Sequence, residues 1–398
     1  MRSEDALLEA CRQAPGDDAP RLVWADAVGG ERGELVVIQC DLARGGLPPA
    51  EAAARRRRER ELVARYGAAW AGVTELVSGP GSGSRFHRGF VESIKVSARV
   101  FAEHGEEILR RAPLLGSLRA IGPEVTSGDP VDDVRALLGA PAFRRLRGLH
   151  LWSIGVQRQA DDGEPRFVGR GDEAAYVLAA AGALTQLREL GISASGVTAV
   201  GVHHLVASGD LGGLEKIELS DADPGGDALV ALLARMWRLR SLWLPRAGDL
   251  EVIIPALPPL AELCLGRLTD ATLALLGRSR AAATLEALVL LNGSFERLDG
   301  LRAFPRLREL YLHGTELRDP ERCARDLAAA APASLRQLGG FGWQVPEDEL
   351  RDLARALGPQ LEELQLIGGP YPPELLDELR ACVAGEVVDV DVASPPPG

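Results

Sequence analysis

The chain has 398 residues, of which 46% are hydrophobic, and a formal charge of −12. That is enough apolar sequence for two or three domains or one long repeat array. The acidic balance argues against a general polyanion binder, because nucleic-acid affinity rests on clustered Lys and Arg meeting phosphates. The opening MRSEDALLEACRQ lacks the basic flank and unbroken apolar core of an export signal. No uncharged apolar run reaches the roughly 18 residues of a membrane helix. The five cysteines, Cys11, Cys40, Cys264, Cys323 and Cys382, are far apart, without CxxC pairing or a local His partner. Reduced, mostly buried thiols in a cytoplasmic, monomeric protein are the expectation.

Residues 1–76 read as a small helical domain. SEDALLEACRQ suits a helix capped by Ser3. Pro20 fits the opening turn of a second helix through RLVWADA, which Gly29 and Gly30 end. GELVVIQCDLAR follows as a third, with Leu35, Ile38 and Leu42 on one face, and PPAEAAARRRRERELVARYG as a fourth. VSGPGSGS opens a linker over residues 77–87. It lacks the preceding strand and following helix that a phosphate cradle needs.

From there to residue 394 an L-x-x-L-x-L pattern recurs, and 395–398 form a tail. Clear copies are LRELGI (Leu187), LEKIEL (Leu214), LRSLWL (Leu239), LAELCL (Leu260), LEALVL (Leu285), LRELYL (Leu307) and LEELQL (Leu361). Looser copies start at Leu146 and Leu335, and degenerate ones at Val91, Leu118 and Val387. Successive starts are separated by 27, 28, 41, 27, 25, 21, 25, 22, 28, 26 and 26 residues. The alternation within a copy is a strand signature. Between copies, DALVALLARM places Leu229, Leu232, Leu233 and Met236 at helical spacing, and PEDELRDLARAL does the same with Leu350, Leu353 and Leu357. The 41-residue interval contains a polar stretch over 153–172, expected to be a surface loop between repeats.

The period and motif resemble leucine-rich-repeat proteins, especially those with long helical segments of the ribonuclease-inhibitor type. The resemblance implies an α/β solenoid with parallel strands concave and helices convex, preceded by the helical domain. The usual Asn after the last leucine is mostly replaced, Asn292 being near it in one copy. APRLVWADAVGGERGELVVIQCDLA, with the Arg-rich helix, ARYGAAWAG and FHRGFVESIKV, resembles the repeat-companion domain that precedes such repeats in myxobacteria and planctomycetes. Pro20, Arg21, Leu22, Val23, Ala25, Asp26, Gly33, Glu34 and Gln39 match its pattern, whereas Trp24 stands for Tyr, and Ala27 and Val28 for a Trp-Leu pair. It implies a bacterial accessory module with no assigned reaction.

No metal, cofactor or enzymatic activity is expected. His203 and His204 are adjacent on a helix and diverge, and no HExxH, GxSxG, Walker A or zinc-spaced set occurs. The carboxylates and Arg21 around Asp26 suit internal charge-assisted hydrogen bonds. Arg55–Glu61 is the one strong basic run, and its interleaved Glu fits a solvated helix.

If the leucines point inward, the alternating residues point out from the concave sheet. These are His150, Trp152, Glu189, Lys216, Glu218, Trp243, Glu262, Cys264, Glu309, Tyr311, His313, Phe341, Glu363 and Gln365. His150, Trp152, Glu218, Trp243, Glu309, Tyr311, His313 and Phe341 form the candidate partner-binding set, since exposed aromatics on a rigid sheet are what binding hot spots are made of. The expected function is a protein-protein interaction scaffold that binds a protein or peptide there. The alternative is a regulatory or enzyme-associated protein whose N-terminal module acts through Asp26 and Arg21. A third reading places nucleic-acid contact at Arg55–Arg60.

Overall fold

A computed structural model describes residues 4–77, 83–122, 129–159, 165–220, 224–342, 345–367 and 371–390. Side chains of 156–167, 341–342 and 390 are also outside the description, so Ser3, much of the Gly-rich junction, the tail and the Phe341 side chain lie beyond it. The chain divides into two compact units, residues 1–47 with 55–214, and 48–54 with 215–398.

The expected N-terminal helices form as α1 (Glu4–Gln13), α2 (Asp18–Val28), α3 (Gly30–Arg44) and α4 (Pro49–Ala71), the last belonging to the first unit from Arg55 on. Asp17 caps α2 by accepting from the Ala19 N–H at 2.9 Å, and Gly29 ends it at φ 63°. The strands β1 (Gly83–His87) and β2 (Phe90–Ser97) then make an antiparallel hairpin. Residues 83–87, read from composition as linker, are thus strand.

Alternation follows: α5 (Ala98–Arg111), β3 (Ser117–Ile121), α6 (Pro130–Gly139), β4 (Gly148–Trp152), β5 (Gly155–Gln159), β6 (Pro165–Gly169), α7 (Gly171–Ala180), β7 (Glu189–Ser193) and α8 (Ala199–Ala207). The strands β2, β3, β4 and β7 pair in parallel. The 153–172 insertion is a β5–β6 hairpin rather than an irregular loop. Its base is tied down, since Arg170 N–H donates to the Ile154 carbonyl at 2.8 Å and Gly171 N–H to Ser195 at 2.7 Å.

The second unit continues with β8 (Lys216–Glu218), α9 (Gly226–Leu233), β9 (Ser241–Leu244), α10 (Leu250–Ala256), β10 (Glu262–Gly266), α11 (Asp270–Leu276), β11 (Ala287–Leu291), β12 (Ser294–Phe295), β13 (Glu309–His313) and β14 (Glu316–Leu317). It closes with α12 (Pro320–Ala330), β15 (Gln337–Gly342), α13 (Glu347–Leu357), β16 (Glu363–Ile367), α14 (Pro373–Cys382) and β17 (Glu386–Val390). The parallel order is β8-β9-β10-β11-β13-β15-β16-β17, with β12 and β14 paired apart. Mixed α/β with a long, mostly parallel sheet, this architecture is leucine-rich-repeat-like.

Every expected copy became a strand, but two frames shift. Ile94 aligns with Leu118 and Leu118 with Leu149, so Leu115, not Leu118, opens that copy. Val387 aligns with Leu364, so the last copy opens at Ala384. The core is a stack of inward leucines: Leu149, Leu151, Leu190, Leu242, Leu288 and Leu310 are all buried. At about 2 kcal/mol for a buried leucine side chain, no single repeat supplies enough to offset chain ordering, and neighbours must share the burial.

The residue leaving a strand is repeatedly left-handed: Ser153 (φ 57°), Ala194 (49°), Arg267 (60°), Asn292 (53°) and Gly314 (61°). Asn and Gly tolerate that region best. Asn292 and Gly314 therefore take it at little cost, whereas Ser153, Ala194 and Arg267 accept strain.

Candidate interaction surface

The N-terminal helices and the first repeat are locked together around a few residues. Arg21 is 1% exposed; its Nη2 is 2.6 Å from Glu92 of β2 and 3.1 Å from the Pro15 carbonyl, and its guanidinium lies 5.5 Å from the Phe90 ring. Gln39 reaches from α3 to the hairpin turn, its Oε1 accepting from the Gly89 N–H at 2.5 Å. Gly89 takes φ 86°, and a side chain there would overlap Val36. Gly33 likewise admits the Ala25 carbonyl, 2.5 Å from where a Cβ would stand. Arg32 sits among Trp24, Trp70, Phe86 and Phe90 at 5.1–5.7 Å, and burial pushes its pKa down to about 10. Asp26, by contrast, is exposed. The structure therefore does not bring Asp26 and Arg21 together; the partner of Arg21 is Glu92.

In the Arg-rich helix, Arg58 forms a bidentate pair with Glu34 at 2.8 Å, and Arg55 pairs with Asp41. Part of that basic run is thus neutralised within the module.

On the helix-free side of the first unit's sheet, register places Lys95, Arg119, His150 and Gly191 in one row and Ser97, Ile121, Trp152 and Ser193 in the next. Trp152 is 37% exposed, with Lys95 Nζ and the Arg119 guanidinium each 5.8 Å from its ring. Such placement holds a cation by the electron-rich ring face. His150 lies over Gly191, where an added Cβ would come 2.6 Å from the imidazole, and its Nε2 is 2.8 Å from Ser193 Oγ. Because Ser193 is buried at 1% exposure, this contact fixes the ring rather than presenting a nucleophile.

The second unit's strand face carries acids beside aromatics. Lys216 Nζ lies 5.6 Å from the Trp243 ring and 3.9 Å from Glu262. Glu218 accepts from Ser220 at 2.6 Å, and Glu262 from Ser241 at 2.8 Å. Tyr311 stacks on His313 with centroids 5.7 Å apart and donates to Gln337 Oε1 at 2.6 Å. Gly339 leaves room for the Tyr311 ring, which a Cβ would overlap. Burial pushes the pKa of His313 below 6.5.

Glu218, Trp243, Glu309, Tyr311 and His313 are half-buried rather than fully open, because neighbouring outward side chains cover one another. Cys264 corrects the expectation of an outward residue. It keeps the register of the face, between Trp243 and Val289, but is fully buried, and desolvation raises its thiol to about 12. Phe341 falls in β15 where the pairing shifts after Leu338; its side chain lies outside the described residues.

Sequence reasoning missed three residues. Lys95 and Arg119 follow from the alternation already applied to later copies, extended to β2 and β3. Trp237 is 71% exposed at the turn two residues before a repeat leucine, where other copies place Thr185, Gly212, Pro258, Pro305 and Pro359. Arg238 stacks on it at 4.5 Å, and with Glu215, Arg240 and the Pro258–Pro259 turn it lines a cavity of about 440 Å³. A bulky aromatic at a turn position that most copies fill with small residues or proline was the available signal.

Among the described residues no group of three or more His, Cys, Asp or Glu is arranged to hold a metal, and no helix is long and apolar enough to cross a membrane. No family model and no curated protein matches the chain. A chain from the crystal structure of the Rad7 and Elc1 complex in yeast is similar, with a TM-score of 0.48 and 14% identity over 77% of this chain and 79% of that one.

Proposed function

We propose that this is a non-enzymatic interaction scaffold, with a companion module at its front, whose helix-free strand face binds a protein or peptide. The carrying observation is the placement of Trp152, Trp243 and Tyr311 on outward strand positions, with Lys95 and Arg119 against the Trp152 ring and Lys216 against that of Trp243. A β-strand face fixed by parallel neighbours presents side chains at defined spacing with little entropy left to lose on binding. The separation of Asp26 from buried Arg21 favours binding over chemistry in the N-terminal module.

The test is affinity capture from the native cell with the wild-type chain and with Trp243→Ala/Tyr311→Ala. Loss of the same captured protein from the double variant, with unchanged unfolding, supports the reading. Undiminished capture contradicts it.

A further inference from the structure

The strand face of the first unit has an opposite charge to the chain that carries it. Arg85 pairs in register with Ser93, and Lys95 with Arg119, so all three cations occupy outward positions, with His150 beside them. Among the described outward positions of β1 to β4 none is acidic; the carboxylate of the same face is Glu189 on β7. The second unit's outward positions instead hold Glu218, Glu262, Glu309, Glu363 and Glu386 against Lys216.

We infer that the first unit's strand face, centred on Trp152, binds an acidic stretch of polypeptide that carries an aromatic or long aliphatic residue among its carboxylates. This rests on the strand face being the docking surface. Charge complementarity selects the partner: local positive charge on a chain of net −12 draws carboxylates to this face and repels them elsewhere. The indole adds an apolar contact, and Lys95 and Arg119, already aligned by its ring, are held where carboxylates would meet them. A nucleic acid fits less well, since duplex DNA brings about one charge per 1.7 Å and needs a longer basic track than three outward cations.

The experiment is fluorescence anisotropy on the full chain with three labelled probes: a short Asp/Glu-rich peptide containing Phe and Leu, its Lys/Arg counterpart, and an oligothymidylate of similar length. The acidic peptide is expected to bind in preference to the other two. Lys95→Glu/Arg119→Glu should weaken it about tenfold, and Trp152→Ala by a similar factor, with unchanged thermal unfolding. Preference for the basic peptide or the oligothymidylate, or acidic-peptide affinity indifferent to the charge reversal, would overturn the inference. Failure of the docking-surface reading would show separately, as partner capture insensitive to Trp243→Ala/Tyr311→Ala.

Discussion

Replacing Glu92 with Gln keeps the side-chain shape and removes its charge, leaving the buried Arg21 guanidinium with neutral acceptors only, the amide oxygen of the new side chain and the Pro15 carbonyl. Breaking a fully buried pair in this way costs about 3–5 kcal/mol. Glu92 retains 25% side-chain exposure, so water screens part of the interaction and about 2–3 kcal/mol is the expected loss. Arg21→Met removes the charge that needs compensation and packs against Phe90, and so should cost less, about 1 kcal/mol. Paired with Glu92→Gln, the double variant should fall short of additivity by at least about 1 kcal/mol. Hydrogen-exchange mass spectrometry of α2 and β2 peptides, beside urea unfolding, reads both the local and the global effect. A Glu92→Gln variant within about 0.5 kcal/mol of wild type, with an additive double variant, would refute Arg21–Glu92 as the lock between the N-terminal helices and the first repeat.

Thiol labelling of the native chain at mild alkaline pH should modify half-exposed Cys382 first and spare Cys11, Cys40, Cys264 and Cys323 until unfolding, because all four are buried and burial raises their thiols, to about 12 for the last three. His313 has a folded-state pKa below 6.5 through desolvation, so the unfolded chain binds the proton more readily. Its contribution to stability is complete above pH 6.5 and is lost as pH falls through that value towards the folded pKa; melting temperatures from pH 7.5 to 5 should show a slope that His313→Gln reduces. Ala194→Gly, at φ 49°, should raise stability by about 1 kcal/mol in chemical denaturation, whereas the same change at a right-handed position lowers it. Gly89→Ala should lower it by at least about 2 kcal/mol, as its side chain has no space beside Val36.

Repeat architecture was legible because leucine spacing is both the sequence period and the physical stack: a residue that must be covered by its neighbour recurs wherever a neighbour exists. The two frame shifts, at Leu115 and Ala384, arose where short apolar runs offer more than one reading of L-x-x-L. The β5–β6 hairpin was hidden by composition, since its polar residues lack the alternation of a half-buried strand. Arg21 and Gln39 were visible as part of a resemblance, but their partners Glu92 and Gly89 lie about fifty to seventy residues on, and no local periodicity connects them.

Alternation alone placed Trp152, Trp243 and Tyr311 on one kind of face. It could not give their degree of exposure, which depends on what stands in adjacent strands: Gly191 and Gly339 let His150 and Tyr311 lie flat, while Trp243 and Val289 flank Cys264, which is covered. Trp237 was passed over because it belongs to a turn, where the strand rule has nothing to say.

Site-specific photocrosslinking is the most direct measurement of the central claim. A benzoyl-phenylalanine at position 152, on the strand face, is compared with one at Val200, an exposed position of α8. Binding through the strand face predicts a discrete crosslinked partner from position 152 and little from position 200. A crosslink confined to position 200, or equal yields from both, would contradict it.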